Sequence, residues 1–186
     1  VLIYHTHTSE SFLREIGETD EEKSFSNDLS KTVAYVGEIL YVNLRQSYRI
    51  PCLHCTTVHD FPSRVGAYYR SAVTLNKILA EYPSLEALVD VHRDSAPRSV
   101  STITIRGKSY ARIMFVIGTD NPAWKTNYDF VKKIVDMLEE GYTGVTRNTY
   151  YQSAAVYNQH LSPKAVLVEI GGVDNTLEEC KNSAEI

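Results

Sequence analysis

The sequence predicts an α/β fold: a single domain, residues 1–186, with a mixed, mostly parallel sheet and helices on both of its faces. Three observations carry that expectation. Short apolar runs alternate with amphipathic helical stripes along the whole chain, so most strand-to-strand connections carry a helix, which favours parallel pairing. The 186 residues are 43% hydrophobic, enough for one core of ordinary size without disulfides or structural metal. No repeat, linker or low-complexity tract divides the chain.

Val1-Leu-Ile-Tyr reads as a short buried strand. The polar stretch from Arg14 to Asn27 reads as a lid or a disordered segment. Leu29, Val33, Val36, Leu40 and Leu44 then recur at steps of three and four, an amphipathic helix face. Pro51 closes that connection, and Cys52 to Val58 reads as a second strand. Val65, Tyr69, Ala72, Leu75 and Leu79 make the next stripe, stopped by Pro83. Ala87-Leu-Val-Asp-Val is a third strand. Ser101–Ile105 and Tyr110–Ile117 flank Arg106-Gly107-Lys108-Ser109 as a hairpin, which makes the sheet mixed. Tyr128, Val131, Ile134 and Leu138 mark a further helix ended by Gly141, and Val166–Ile170 is the last strand. Thr176 with Glu179 three residues on fits a capping box that opens the final helix.

Composition excludes several classes. The net charge of −4 and pI near 5.9 argue against a nucleic-acid binder, which needs a basic face. Only 9 glycines and 6 prolines exclude collagen-like and low-complexity chains. No apolar run approaches the ~20 residues of a membrane span. Val1 opens inside an apolar run, as expected of a segment of a longer chain. Cys52 and Cys55 form a single CxxC on a strand, where positions i and i+3 face opposite ways; buried free thiols are expected, and Cys180 has no obvious partner. No GxGxxG, P-loop or GxSxG follows a strand, which disfavours nucleotide chemistry and a serine nucleophile.

Ligands of open α/β sheets bind beyond the carboxyl ends of the strands. His5-Thr-His7-Thr-Ser-Glu10 follows the first strand, His92-Arg93-Asp94 the third, and Glu169 with Gly171-Gly172 closes the last. His7-x-x-Glu10 resembles a zinc pair with His92 as third ligand, since catalytic zinc takes three nitrogen or carboxylate ligands and leaves one position open. Glu169 is then the free carboxylate that takes a proton from water, and the glycines beside it leave room for a substrate backbone. An isolated HxxE arises often by chance; the coincidence of three strand ends is what gives it weight. His5 lies two before His7 and shares its face as an alternative ligand. Asp90, two before His92, either orients that imidazole or is a surface carboxylate. Arg93 and Arg147 are candidates to pair with substrate carboxylates, and Asp94 lies beside them. His59-Asp60 is either a dyad at the same edge or an ordinary turn. His54 reads as structural, and His160 either lines the cleft or is solvated. Of the 13 tyrosines, a few exposed ones could stack on sugar rings, while Tyr35 and Tyr69 are expected to pack on the sheet.

Val1-Leu-Ile-Tyr-His-Thr-His-Thr-Ser-Glu-Ser, Leu88-Val-Asp-Val-His-Arg-Asp, Tyr157-Asn-Gln, Leu167-Val-Glu-Ile-Gly-Gly and Asn175-Thr-Leu-Glu-Glu together resemble the stage II sporulation protein P family over essentially the whole chain. That family is similar to zinc-dependent N-acetylmuramoyl-L-alanine amidases. The resemblance implies an enzyme that cuts peptidoglycan between muramic acid and the L-alanine of the stem peptide, with endopeptidase action on crosslinks. It implies zinc on His7, Glu10 and His92, and Glu169 as the catalytic carboxylate. It also implies action during engulfment on the outer face of the cell membrane, beside stage II sporulation protein D, with an N-terminal membrane anchor outside these residues. In the better-known amidases the glutamate ligand lies further downstream, at the start of the next helix, and Glu10 departs from that pattern. Two other readings suit the same residues: a zinc metallopeptidase of carboxypeptidase type, and a non-catalytic cell-wall-binding module.

Overall fold

The computed structural model describes residues 1–186. Its elements, in chain order, are β1 (Leu2–Tyr4), α1 (Leu13–Ile16), α2 (Val33–Gln46), β2 (Leu53–His54), α3 (Ala67–Glu81), β3 (Ala87–Asp94), α4 (Arg98–Ser101), β4 (Thr102–Ile105), β5 (Lys108–Ala111), β6 (Ile113–Gly118), α5 (Trp124–Gly141), β7 (Tyr150–Gln152), β8 (Lys164–Gly172) and α6 (Leu177–Ala184). One six-stranded sheet runs β2-β1-β3-β8-β6-β7. Strands β2, β1, β3 and β8 are mutually parallel, β6 is antiparallel to β8, and β7 is parallel to β6. The fold is therefore α/β with a mixed, mostly parallel sheet.

Period-2 alternation along the strands divides the core. Ile3, Val91, Val166, Val168 and Ile170 point to one face, where Val33 and Val36 of α2, Val131 of α5 and Ala184 of α6 pack on them. Leu2, Tyr4, Leu88 and Ala165 point to the other and meet Leu75 of α3. Helices thus lie on both faces, but α3 covers only part of its side. Thr176 caps α6, with the Glu179 side chain reaching back to complete the capping box.

The predicted hairpin is real but sits elsewhere. β4 and β5 pair only with each other, apart from the main sheet, so β6, not the hairpin, makes that sheet mixed. The run Tyr110–Ile117 breaks at Arg112, whose backbone N–H donates to Ser101 O at 2.7 Å and whose guanidinium donates to Gly144 O and Thr146 O. The strand expected over Cys52–Val58 shrinks to Leu53–His54. Its cysteines are free, Cys52 buried and Cys55 partly exposed.

The stripe expected on α3 is out of phase. Val65 is 85% and Tyr69 76% exposed, and the buried positions are Ala67, Ser71 and Leu75. A small polar residue on the packing face shifted the apparent stripe, because Ser71 is buried against Thr6 Oγ1 at 3.1 Å. Tyr35 is likewise exposed rather than packed on the sheet. The stretch 14–27 is folded: Ser11 N–H donates to Ser24 O and Ser26 N–H to Ser9 O, both at 2.9 Å.

Candidate metal centre and active site

The uncovered part of the α3 face is the floor of a cavity of about 530 Å³. His92 of β3 lies beside Glu169 of β8 in register, and Glu169 beside Met114 of β6. Alternation puts these three side chains on the face that also carries Asp90. His7 and Glu10 arrive from the turn after β1, which closes with Glu10 N–H on His7 O at 3.1 Å. Glu10 is fixed by a bridge to Phe25 and by Val33 N–H donating to its carbonyl at 2.9 Å.

The ligand-capable atoms of His7, Glu10 and His92 all lie within 4.8 Å of one another. His7 Nδ1 is 3.4 Å from Glu10 Oε1, and His92 Nδ1 is 3.1 Å from Glu10 Oε2. His92 Nε2 lies 2.9 Å from Asp90 Oδ1 but off the line of a hydrogen bond. Asp90 is itself held by Thr6, whose N–H donates at 2.8 Å and whose hydroxyl donates at 2.6 Å. Asp90 is fully buried, so it is not a surface carboxylate.

Burial disfavours every charge here, and neighbours decide which charges persist. Burial raises the Glu10 carboxyl, but the neighbouring His92 and His7 imidazoles outweigh it and hold its pKa well below 4.5. Burial lowers the His92 imidazole, but Asp90 and Glu10 outweigh it and hold its pKa well above 6.5. Glu169 is the opposite case. Burial pushes it up to about 8, the His92 charge opposes the rise, and Glu10 and Asp94 add to it. Its Oε2 is buried without a hydrogen-bond partner.

Two imidazoles and a buried carboxylate are a donor set suited to zinc. The Arg64 guanidinium illustrates the pull of this set on a cation: its Nη2 lies 2.9 Å from His7 Nδ1 and 2.8 Å from Glu10 Oε1. These residues therefore fit the ion, and Asp90 is placed to orient His92 behind it.

Other expectations change. His5 does not reach the cavity: it is fully buried, with Nδ1 on Val91 O and Nε2 on His54 Nε2, each at 2.9 Å. β1 ends at Tyr4, so the strand alternation that paired His5 with His7 no longer applies. Arg93 lies at the cavity edge, but its guanidinium is committed to Ser11 O and Ser24 O. It anchors the 11–24 segment and is not free for a substrate carboxylate. Arg147 does line the cavity, paired with Asp94 at 2.5 Å.

His59 and Asp60 form no dyad. His59 Nδ1 is on His5 O and its Nε2 on Thr74 Oγ1, while Asp60 accepts from Ser9. His160 is exposed, and His54 bridges His5 and Glu38. The glycine pair leaves no room for a substrate: a Cβ on Gly172 would lie 2.0 Å from Ala96 O, so this close approach packs the 94–101 segment. Arg64, Tyr68, Tyr150 and Tyr157 also line the cavity. Arg64 and Tyr157 come from loops, Tyr68 from the start of α3 and Tyr150 from the first residue of the short edge strand β7, none with a periodic signal, and the lone arginine between Pro62 and Gly66 was the only cue to Arg64.

A solved structure, the CwlD amidase from Clostridioides difficile in complex with the GerS lipoprotein, aligns with a TM-score of 0.48 and 11% identity over 100% of this chain and 94% of that one. Stage II sporulation protein P of Bacillus subtilis (strain 168) is 32% identical over 194 aligned positions, covering 99% of this chain and 48% of that protein. The chain thus spans about half the length of this relative. The Stage II sporulation protein P family matches residues 1–186 in full, and the chain belongs to that family.

Proposed function

We propose that residues 1–186 act as one zinc-dependent hydrolase unit that cleaves the amide bond between N-acetylmuramic acid and L-alanine in peptidoglycan. One observation carries the proposal. His7 with Glu10, His92, and Glu169 belong to three separate segments, yet converge in one cavity, with the carboxylate charged on one side and raised to about 8 on the other. Family membership agrees with it.

His7, Glu10 and His92 would hold the ion, with Asp90 keeping the His92 ring in place. When bound, zinc supplies Lewis-acid polarisation of the scissile carbonyl and makes water acidic enough to attack near neutral pH. The Glu169 carboxyl, lifted by burial, would ionise more readily beside a cation held by those residues. Glu169 Oε2 accepts the proton of the attacking water and returns it to the departing alanine nitrogen. Tyr68 and Tyr157, with rings 5.2 Å apart, form an aromatic wall for the sugar or peptide. Endopeptidase action on crosslinks would use the same groups, since both bonds are amides.

The same proposal places the reaction on the outer face of the cell membrane during sporulation, beside stage II sporulation protein D. No helix here is long and apolar enough to cross a membrane. Metal content of wild type, His7→Ala and His92→Ala tests the centre: one zinc per wild-type chain, lost in both variants, is expected. Digestion of purified muropeptides tests the bond, with a new lactyl carboxyl and a free L-alanine amine as expected products. Cleavage confined to the peptide points to a carboxypeptidase-type enzyme, and failure to take up zinc to a binding module.

A further inference from the structure

We infer that Arg64 is a displaceable counter-cation with two resting places: on His7 and Glu10 before metal binds, and on Asp60 once metal holds those ligands. The inference rests on the zinc reading above and concerns what this chain's own side chains do when the ion arrives.

The first observation is competition. Arg64 Nη2 contacts His7 Nδ1 and Glu10 Oε1 at 2.9 and 2.8 Å, ligand-capable atoms of two of the residues that would hold the ion. One lone pair cannot serve a guanidinium and a metal together, and two cations at that separation repel strongly in a partly desolvated site. The guanidinium must leave for the ion to bind. It is free to do so, because the side chain is 42% exposed and comes from the connection before α3.

The second observation is a destination. Arg64 also lines a second cavity of about 400 Å³, together with Ser9, Phe25, Asp60, Phe61 and Ser63. Asp60 is buried. Its Oδ2 accepts from Ser9 N–H and Oγ, but its Oδ1 is buried with no partner. A buried carboxylate oxygen left unpaired is costly, and Arg64 is the one basic side chain lining this cavity. Phe25 is common to both: it lines the second cavity, and its ring carries the Arg64 guanidinium 5.1 Å from its centroid. Arg64 can thus turn from Glu10 to Asp60 without leaving that ring. In the first position it neutralises Glu10, and in the second it completes Asp60, so neither buried carboxylate faces the same shortage in both states.

Zinc affinity by competition with a chromophoric chelator tests this on purified wild type, Arg64→Gln, Arg64→Lys, Asp60→Asn and the Arg64→Gln/Asp60→Asn double variant. Arg64→Gln should bind zinc about tenfold more tightly, the worth of one charge-assisted hydrogen bond at a half-exposed site, while its metal-free form melts lower. Asp60→Asn should bind about tenfold more weakly, and that loss should vanish in the Arg64→Gln background. Arg64→Lys, which keeps the charge, should bind nearer to wild type than Arg64→Gln does. A purely structural arginine would lower the melting point without tightening zinc binding. Wild type that binds zinc while Arg64→Gln binds no tighter overturns the displacement, as does an Asp60→Asn loss that persists without Arg64. Should Asp60→Asn fail to fold, the Gln and Lys variants decide between the same outcomes. If no form binds zinc, the metal reading falls and this inference with it.

Discussion

Replacing Asp90 with asparagine separates the charge behind His92 from the shape of the site. Asp90 is fully buried, accepts from Thr6 N–H at 2.8 Å and from Thr6 Oγ1 at 2.6 Å, and lies 2.9 Å from His92 Nε2. Asparagine fills the same volume. With its carbonyl facing Thr6 N–H and His92, its amide faces the Thr6 hydroxyl, which can turn and donate instead to Ser71 Oγ, 3.1 Å away. What disappears is the negative charge that holds the imidazole with Nδ1 toward Glu10. Outer-sphere carboxylates of this kind are worth about 10–100-fold in metal affinity. Turning charged hydrogen bonds into neutral ones costs about 2 kcal/mol of folding stability, or roughly 4–8 °C in melting temperature for a domain of this size. Chelator competition measures the first effect and calorimetry of the metal-free protein the second. A folded Asp90→Asn protein whose zinc dissociation constant stays within about threefold of wild type would refute the orienting role.

Three further outcomes are expected. Glu169→Gln should lower turnover on cell walls by about 10²–10⁴-fold while retaining zinc. It should also raise the melting temperature of the metal-free protein above pH 4.5, because a carboxyl lifted to about 8 binds its proton more tightly folded than unfolded and loses stability as pH rises between those values. His5, lowered from 6.5 to about 3 mainly by burial, stays neutral in the fold while the unfolded chain protonates. Its contribution is complete above pH 6.5 and falls by about 1.4 kcal/mol per pH unit on acidification toward pH 3. Chemical denaturation at several pH values should therefore show the gap between wild type and His5→Gln closing as pH falls; a gap independent of pH would show that His5 does not titrate this way. Leu75→Ala should cost about 2–5 kcal/mol, as expected for a fully buried leucine packed on Leu2, Tyr4 and Leu88, with zinc stoichiometry unchanged by metal analysis.

Much of the sheet and the convergence of its polar ends were legible because they depend on short-range rules. Strand ends of a parallel sheet share an edge, so His7, Glu10, His92 and Glu169 could be brought together from sequence, and alternation paired Asp90 with His92. The rules failed where the chain leaves regular structure. His5 and His7 stand two apart, but β1 stops before them, and the turn sends one ring into the core and the other into the cavity. Ser71 hid the phase of α3 because hydrogen bonding, not hydrophobicity, makes it a packing residue. Arg112 looked like an ordinary strand position, and only its contacts with Ser101, Gly144 and Thr146 reveal why the run divides there. Arg64 was invisible because the reach of a loop arginine depends on a path that no periodicity encodes.

The place of β8 in the sheet bears on the order in which the protein matures. β8 lies between β3 and β6, both made earlier in the chain and joined in the sheet only through it. As the chain emerges from the ribosome, the N-terminal strands can assemble only separate partial sheets until residues 164–172 arrive, and their pairings are distant in sequence and slow to close. The same strand delivers Glu169 and the neighbouring floor of the cavity. A nascent or truncated polypeptide can hold His7, Glu10 and His92, but it lacks Glu169, so the four side chains can share one cavity only after synthesis has passed the final strand.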